Sequence, residues 1–136
     1  MDDLIRTGII ATDGMKAQAT RLRVVSENLA NADSLSSVAG GDPYRRKVVS
    51  FKNVLNQETG VKIVKVDTIG NDKSEFGRRH DPSHPAADAE GYVLLPNVNP
   101  LIELMDMREA QRSYEANLNV ITVSRDMLKK TVDLLR

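Results

Sequence analysis

Proline placement constrains this chain more than any other feature. The segment from Asp3 to Ala32 contains none, and beyond Pro100 neither proline nor glycine occurs as far as Arg136. Proline removes a helical hydrogen bond and clashes with the preceding turn, so both ends are free to form long helices. In the first segment Leu4, Ala11, Met15, Leu22, Val25 and Leu29 are separated by three, four or seven, the seam spacing of a coiled coil. Gly8 and Gln18 share that seam and weaken it; Gly8 and Gly14 each cost about 1 kcal/mol relative to alanine. A helix of about 29 residues is about 43 Å long, too long to be stabilised by its own hydrogen bonds. Its narrow apolar stripe needs a partner.

The last segment offers one. Tyr114, Leu118, Ile121, Leu128, Val132 and Leu135 continue a three–four alternation, with Leu104, Met107 and Gln111 ahead of them. Arg125 falls on the same seam and reads as a snorkelling side chain. Pro100 suits the first helical turn, where its missing N–H costs nothing, and Asn99 is the expected N-cap.

Between the ends the pattern changes. Gly40-Gly41-Asp42-Pro43 is turn chemistry. The Val- and Ile-rich runs Tyr44 to Phe51 and Val61 to Ile69 predict strands, and a short third strand is expected at Tyr92 to Leu95. Pro82, Pro85, Pro96 and Pro100 keep the stretch from Asp81 to Pro100 extended. Residues 41–80 carry nine Lys or Arg against five Asp or Glu. The expected fold is mainly α with a small β insertion, its terminal helices forming an antiparallel coiled-coil hairpin. Its parts are residues 1–34 (N-terminal helix), 35–98 (β-containing middle) and 99–136 (C-terminal helix), in one structural unit.

With 136 residues, one such unit is what the length suggests. Aromatics are only 4% of the chain, so a core must come from Leu, Ile, Val, Met and Ala. The formal net charge of +0 favours neither a nucleic acid nor an anionic membrane as partner. The absence of cysteine excludes disulfides and thiolate metal sites. Met1-Asp2-Asp3 opens acidic and runs straight into a periodic segment, so no cleavable secretory signal is expected. No stretch approaches the roughly 18–20 apolar residues of a membrane span.

His80-Asp81-Pro82-Ser83-His84 is the one cluster of catalytic residue types. A His pair four apart converges on a metal only on a helix, and Pro82 and Pro85 oppose a helix there. Neither a nucleophile elbow nor an oxyanion loop accompanies Ser83, so a polar loop is expected, with no catalytic, cofactor or metal residues. Arg45-Arg46-Lys47 has the charge to bind phosphate, but without a phosphate-binding glycine loop it reads as a solvated edge strand whose charges block unwanted pairing. A two-helix hairpin with seams interrupted by Gly8, Gln18, Ala110 and Asn117 is marginal alone, so periodicity favours assembly.

Four strings carry a family resemblance. Ser26-Glu27-Asn28-Leu29-Ala30-Asn31-Ala32-Asp33-Ser34 resembles the N-terminal signature of flagellar rod, hook and hook-associated axial proteins. Tyr114-Glu115-Ala116-Asn117, after Arg112-Ser113, is similar to their C-terminal signature. Gly41-Asp42-Pro43-Tyr44-Arg45-Arg46-Lys47 and Asp88-Ala89-Glu90-Gly91-Tyr92-Val93-Leu94-Leu95-Pro96-Asn97-Val98-Asn99 narrow the match to proximal rod subunits of that family.

The resemblance implies a structural subunit whose paired terminal helices line a hollow, torque-transmitting tube with the middle segment facing outward. It implies unprocessed export through the flagellar type III apparatus and polymerisation in the periplasm. The implied partners are itself and other rod subunits; no small-molecule substrate is implied. The expected assembly interface comprises Met15, Leu22, Val25, Asn28, Leu29, Asn31, Tyr114, Glu115, Asn117, Leu118, Ile121, Leu128 and Val132. For Asn28 and Asn31 the choice lies between hydrogen bonds to another helix and helix-end caps. For Tyr114, Glu115 and Asn117 it lies between an interface and an intrachain core. Two other functions stay open at this point: a coiled-coil adaptor outside any polymer, and a hydrolase using His80, Ser83 and His84.

Overall fold

A computed structural model describes residues 1–136. Six elements follow in order: α1 (Asp2–Ala30), β1 (Lys47–Leu55), β2 (Lys62–Asn71), β3 (Gly77–His80), β4 (Tyr92–Leu95) and α2 (Pro100–Leu134). Two long helices and two small antiparallel sheets give a mixed α/β content. Neither helix is long and apolar enough to cross a membrane.

Both helices end where side chains can satisfy their orphan backbone groups. At the end of α1 the Asn31 N–H and Nδ2 both donate to the Glu27 carbonyl, at 3.0 and 2.8 Å. At the start of α2 the Leu101 N–H donates to Asn99 Oδ1 at 3.1 Å, the expected N-cap. The β1–β2 loop closes with Asn56 N–H donating to the Val61 carbonyl at 2.8 Å, and Gly60 supplies the positive φ of 68° that the turn needs.

β1 begins three residues later than the sequence predicts, and β2 extends two residues further. β4 occupies the expected Tyr92–Leu95. β3 is a strand the sequence did not reveal. Its Gly-Arg-Arg-His run is exposed throughout and has no apolar alternation. It pairs antiparallel with β4, Gly77 opposite Leu95 through His80 opposite Tyr92.

The chain forms two compact units. The first comprises Met1–Leu22, Val49–Thr68 and Arg108–Arg136. Its buried residues are Ala11, Ala17, Ile63, Ala110 and Ser124, most of them small. A Cβ built on Gly14 would lie 3.0–3.2 Å from the Asn117 side chain, so the glycine that weakens α1 admits a close approach by α2.

The second unit comprises Arg23–Val48 and Ile69–Met107. Val24, Val25, Ala86 and Val93 are buried there, together with two polar side chains, Asn28 and Glu103. The His80–His84 loop spends its polar atoms locally. Ser83 Oγ donates to Asp81 Oδ1 at 2.9 Å, and the Ala86 N–H donates to His84 Nδ1 at 3.0 Å.

Candidate assembly site

Tyr44 to Lys47 is the most heavily tethered stretch of the second unit. Tyr44 donates its N–H to the Ser34 carbonyl at 3.0 Å and its hydroxyl to Asn28 Oδ1 at 2.8 Å. Arg45 lies over the Phe76 ring, 4.1 Å from its centroid, and donates to the Asp72 and Ser74 carbonyls. The Arg46 N–H donates to Asn97 Oδ1 at 2.7 Å. Its guanidinium reaches three carboxylates: Glu103 through Nε, Asp72 at 3.4 Å and Asp106 at 3.7 Å. Lys47 exchanges both backbone bonds with the Asn28 side chain at 2.9 Å and pairs with Glu27 at 3.0 Å.

The expectation of a solvated edge strand at Arg45-Arg46-Lys47 is therefore corrected. Residues 45 and 46 precede the strand, and each charge of the run has a named partner within the unit. The planar guanidinium presents five donors in a fixed fork, which suits it to several acceptors converging on one site. Glu103 and Asp72, hydrogen-bonded to Arg46, hold its guanidinium in the charged form and raise its pKa. Burial pushes the Tyr44 hydroxyl up, while hydrogen bonds from Ser74 hold Asp72 below the usual carboxylate value.

Glu103 is fully buried, yet its neighbours Leu101, Ile102, Leu104 and Met105 are 66%, 50%, 43% and 64% exposed. A monomeric globular helix normally does the reverse. At about 100° per residue, the four apolar side chains cover an arc of about 160° opposite the carboxylate. In the first unit Leu118, Val120, Val123, Met127 and Val132 of α2 are also exposed. Contiguous exposed apolar surface of this kind marks an interaction site.

The residues expected at an assembly interface are distributed as follows. Val25 and Asn28 are buried; Met15, Leu22, Leu29, Asn31, Tyr114, Asn117, Ile121 and Leu128 are half-buried; Glu115, Leu118 and Val132 are exposed. Met15, Tyr114, Leu118 and Ile121 line one open groove of the first unit, and Ile121 and Leu128 line a second with Leu4 and Ile9. Asn28 bonds Glu103 on α2 at 3.3 Å, whereas Asn31 stays at its own helix end, joined by Ser34 Oγ. The sequence reading missed Tyr44, Arg46, Asn97 and Glu103. Its available signal was the lone carboxylate inside Leu101-Ile102-Glu103-Leu104-Met105.

Two family profiles match the ends of the chain. One, described as Flagella basal body rod protein, covers residues 10–34; the other, Flagellar basal body rod FlgEFG protein C-terminal, covers 89–134. Asn28 lies in the first and Glu103 in the second. The flagellar basal-body rod protein FlgC of Agrobacterium fabrum is 52% identical over 136 residues, spanning 100% of this chain and 98% of its own. The chain belongs to the FlgC family. FlgC proteins of Bacillus subtilis and Salmonella typhimurium are each 39% identical, covering 92% of this chain and 93% and 92% of their own. As a FlgC-family member the chain is a structural subunit of the flagellar basal-body rod, not an enzyme. The buried Asn28–Glu103 contact thus joins the two segments that the rod-protein profiles match.

Proposed function

We propose that this FlgC-family chain polymerises with copies of itself and with other rod subunits into the proximal part of a hollow, torque-transmitting tube in the periplasm. α1 and α2 pair as an antiparallel coiled coil facing the channel. Segments 1–34 and 99–136 supply that coil, and segment 35–98 faces outward. The subunit reaches its site through the flagellar type III apparatus.

The observation that carries this reading is the outward placement of Leu101, Ile102, Leu104 and Met105 around a buried glutamate, a surface useful only when another molecule covers it. Antiparallel pairing draws support from the first unit. There Gly14 meets Asn117 and Arg21 meets Glu109, so a step forward along α1 is a step back along α2. The expected interface residues Met15, Tyr114, Leu118 and Ile121 share a groove wide enough to admit apolar side chains from a neighbour.

The test is complementation of a strain lacking its own FlgC. Leu29→Asp or Ile121→Asp abolishes swimming and rod formation while the subunit is still exported. Normal swimming by both variants contradicts the proposal.

A further inference from the structure

We propose that Glu103 is a positioning residue. Its buried carboxylate sets the rotational phase of the opening turns of α2 and so turns Leu101, Ile102, Leu104 and Met105 outward. The inference rests on the rod reading for its cellular readout only.

The run Leu101-Ile102-Glu103-Leu104-Met105 has no intrinsic preference for the observed phase. Rotating it by half a turn would bury four apolar side chains and expose one carboxylate, as the hydrophobic effect alone demands. What opposes that rotation is a seat fitted to a carboxylate. Glu103 Oε1 accepts from Arg46 Nε, and Oε2 accepts from Asn28 Nδ2 at 3.3 Å. The seat is itself fixed. Asn28 is held by Tyr44 and by both backbone groups of Lys47, and the Arg46 backbone is held by Asn97. A buried ionic contact of this sort adds little net stability over an apolar replacement, but it can specify one arrangement among several of similar energy.

The seat also makes the inference testable, because the Arg46 charge stays paired when the carboxylate is removed. Arg46 keeps Asp72 and Asp106, and the Asn28 amide keeps the Lys47 carbonyl. Glu103→Leu therefore removes the phase signal without leaving an unpaired charge, although Arg46 Nε and one Asn28 amide hydrogen lose their acceptor. Glu103→Gln retains the size and the acceptor for Arg46 Nε.

The chain has no cysteine, so Met105→Cys and Met107→Cys introduce unique reporters on opposite sides of the helix. In the otherwise unchanged chain the cysteine at position 105 reacts with maleimide about tenfold faster than that at 107, because access governs thiol labelling. Glu103→Gln preserves that ratio. Glu103→Leu brings it within about threefold while helical content is retained, with a melting temperature lowered by the two hydrogen bonds that Arg46 and Asn28 lose. In cells lacking their own FlgC, Glu103→Gln restores swimming and Glu103→Leu does not. An unchanged labelling ratio in Glu103→Leu, its loss in Glu103→Gln, or unfolding of Glu103→Leu overturns the proposal. Swimming with Glu103→Leu also overturns it, leaving the rod reading intact. Failure of the unaltered chain to restore swimming counts instead against the rod reading, and the labelling ratio then decides this inference alone.

Discussion

The side chain of Asn28 pairs with the peptide group of Lys47 much as one strand pairs with another. Nδ2 donates to the Lys47 carbonyl and Oδ1 accepts its N–H, both at 2.9 Å. A helix end thereby holds the first residue of β1 by two antiparallel bonds. Oδ1 also takes the Tyr44 hydroxyl and Nδ2 reaches Glu103, so the amide is used at both ends. Asn28→Ala leaves several of these groups without partners and lowers stability by about 2–4 kcal/mol, the cost of stranding buried hydrogen-bonding groups. Urea denaturation measures the loss, and amide exchange at Lys47 should accelerate in parallel.

Gly14 and Asn117 form a second such pair. Gly→Ala within a helix ordinarily gains about 1 kcal/mol. Here the added methyl group would press on the Asn117 amide at 3.0–3.2 Å, and that amide is held by the Ser113 carbonyl at 3.0 Å. Gly14→Ala alone is expected to gain nothing. Combined with Asn117→Ala it recovers a gain of about 1 kcal/mol relative to Asn117→Ala, which a double-mutant cycle reads as coupling between the two sites. Additive effects would mean the contact is not tight.

Acid should loosen the second unit in a defined window. Asp72 is held below the usual carboxylate value by hydrogen bonds from Ser74 and by Arg46, and Asp88 by the backbone N–H of Tyr92, with Arg78 contributing. A folded-state pKa below the unfolded one, which is about 3.9, gives stability that is present above that pH and lost as pH falls through the folded value. Denaturation midpoints should therefore hold steady from neutrality to about pH 5 and fall below about pH 4. Asp72→Asn combined with Asp88→Asn lowers the midpoint at neutral pH and flattens the acid fall. An equally steep fall in the double variant would place the acid sensitivity elsewhere.

The long helices were legible because proline and glycine avoid them, and Asn99 and Pro100 mark where α2 begins. Strand β4 was legible because Pro96 and Gly91 bracket an apolar run. The contact stripe of α2 was only half legible. A three–four alternation can be drawn through either of two adjacent stripes, and burial selects the one carrying Ala110 and Ser124. Met107, Tyr114, Ile121 and Leu128 are half-buried beside it, while Leu104, Gln111, Leu118, Val132 and Leu135 are exposed. Small residues win because they let the backbones approach, which apolar counting does not register. Arg46 and Glu103 were hidden for a related reason. A charged residue is read as exposed unless its partners are known, and these partners lie 57 residues apart. β3 owes its strand form to pairing with β4 and carries no apolar signal of its own.

The central claim is that the apolar face around Glu103 exists to be covered by another rod subunit. Imaging an isolated basal body at side-chain resolution tests it most directly. The account predicts Leu101, Ile102, Leu104 and Met105 buried against a neighbouring rod subunit, with Glu103 still seated on Arg46 and Asn28. An assembled rod in which those four side chains remain in solvent would contradict it.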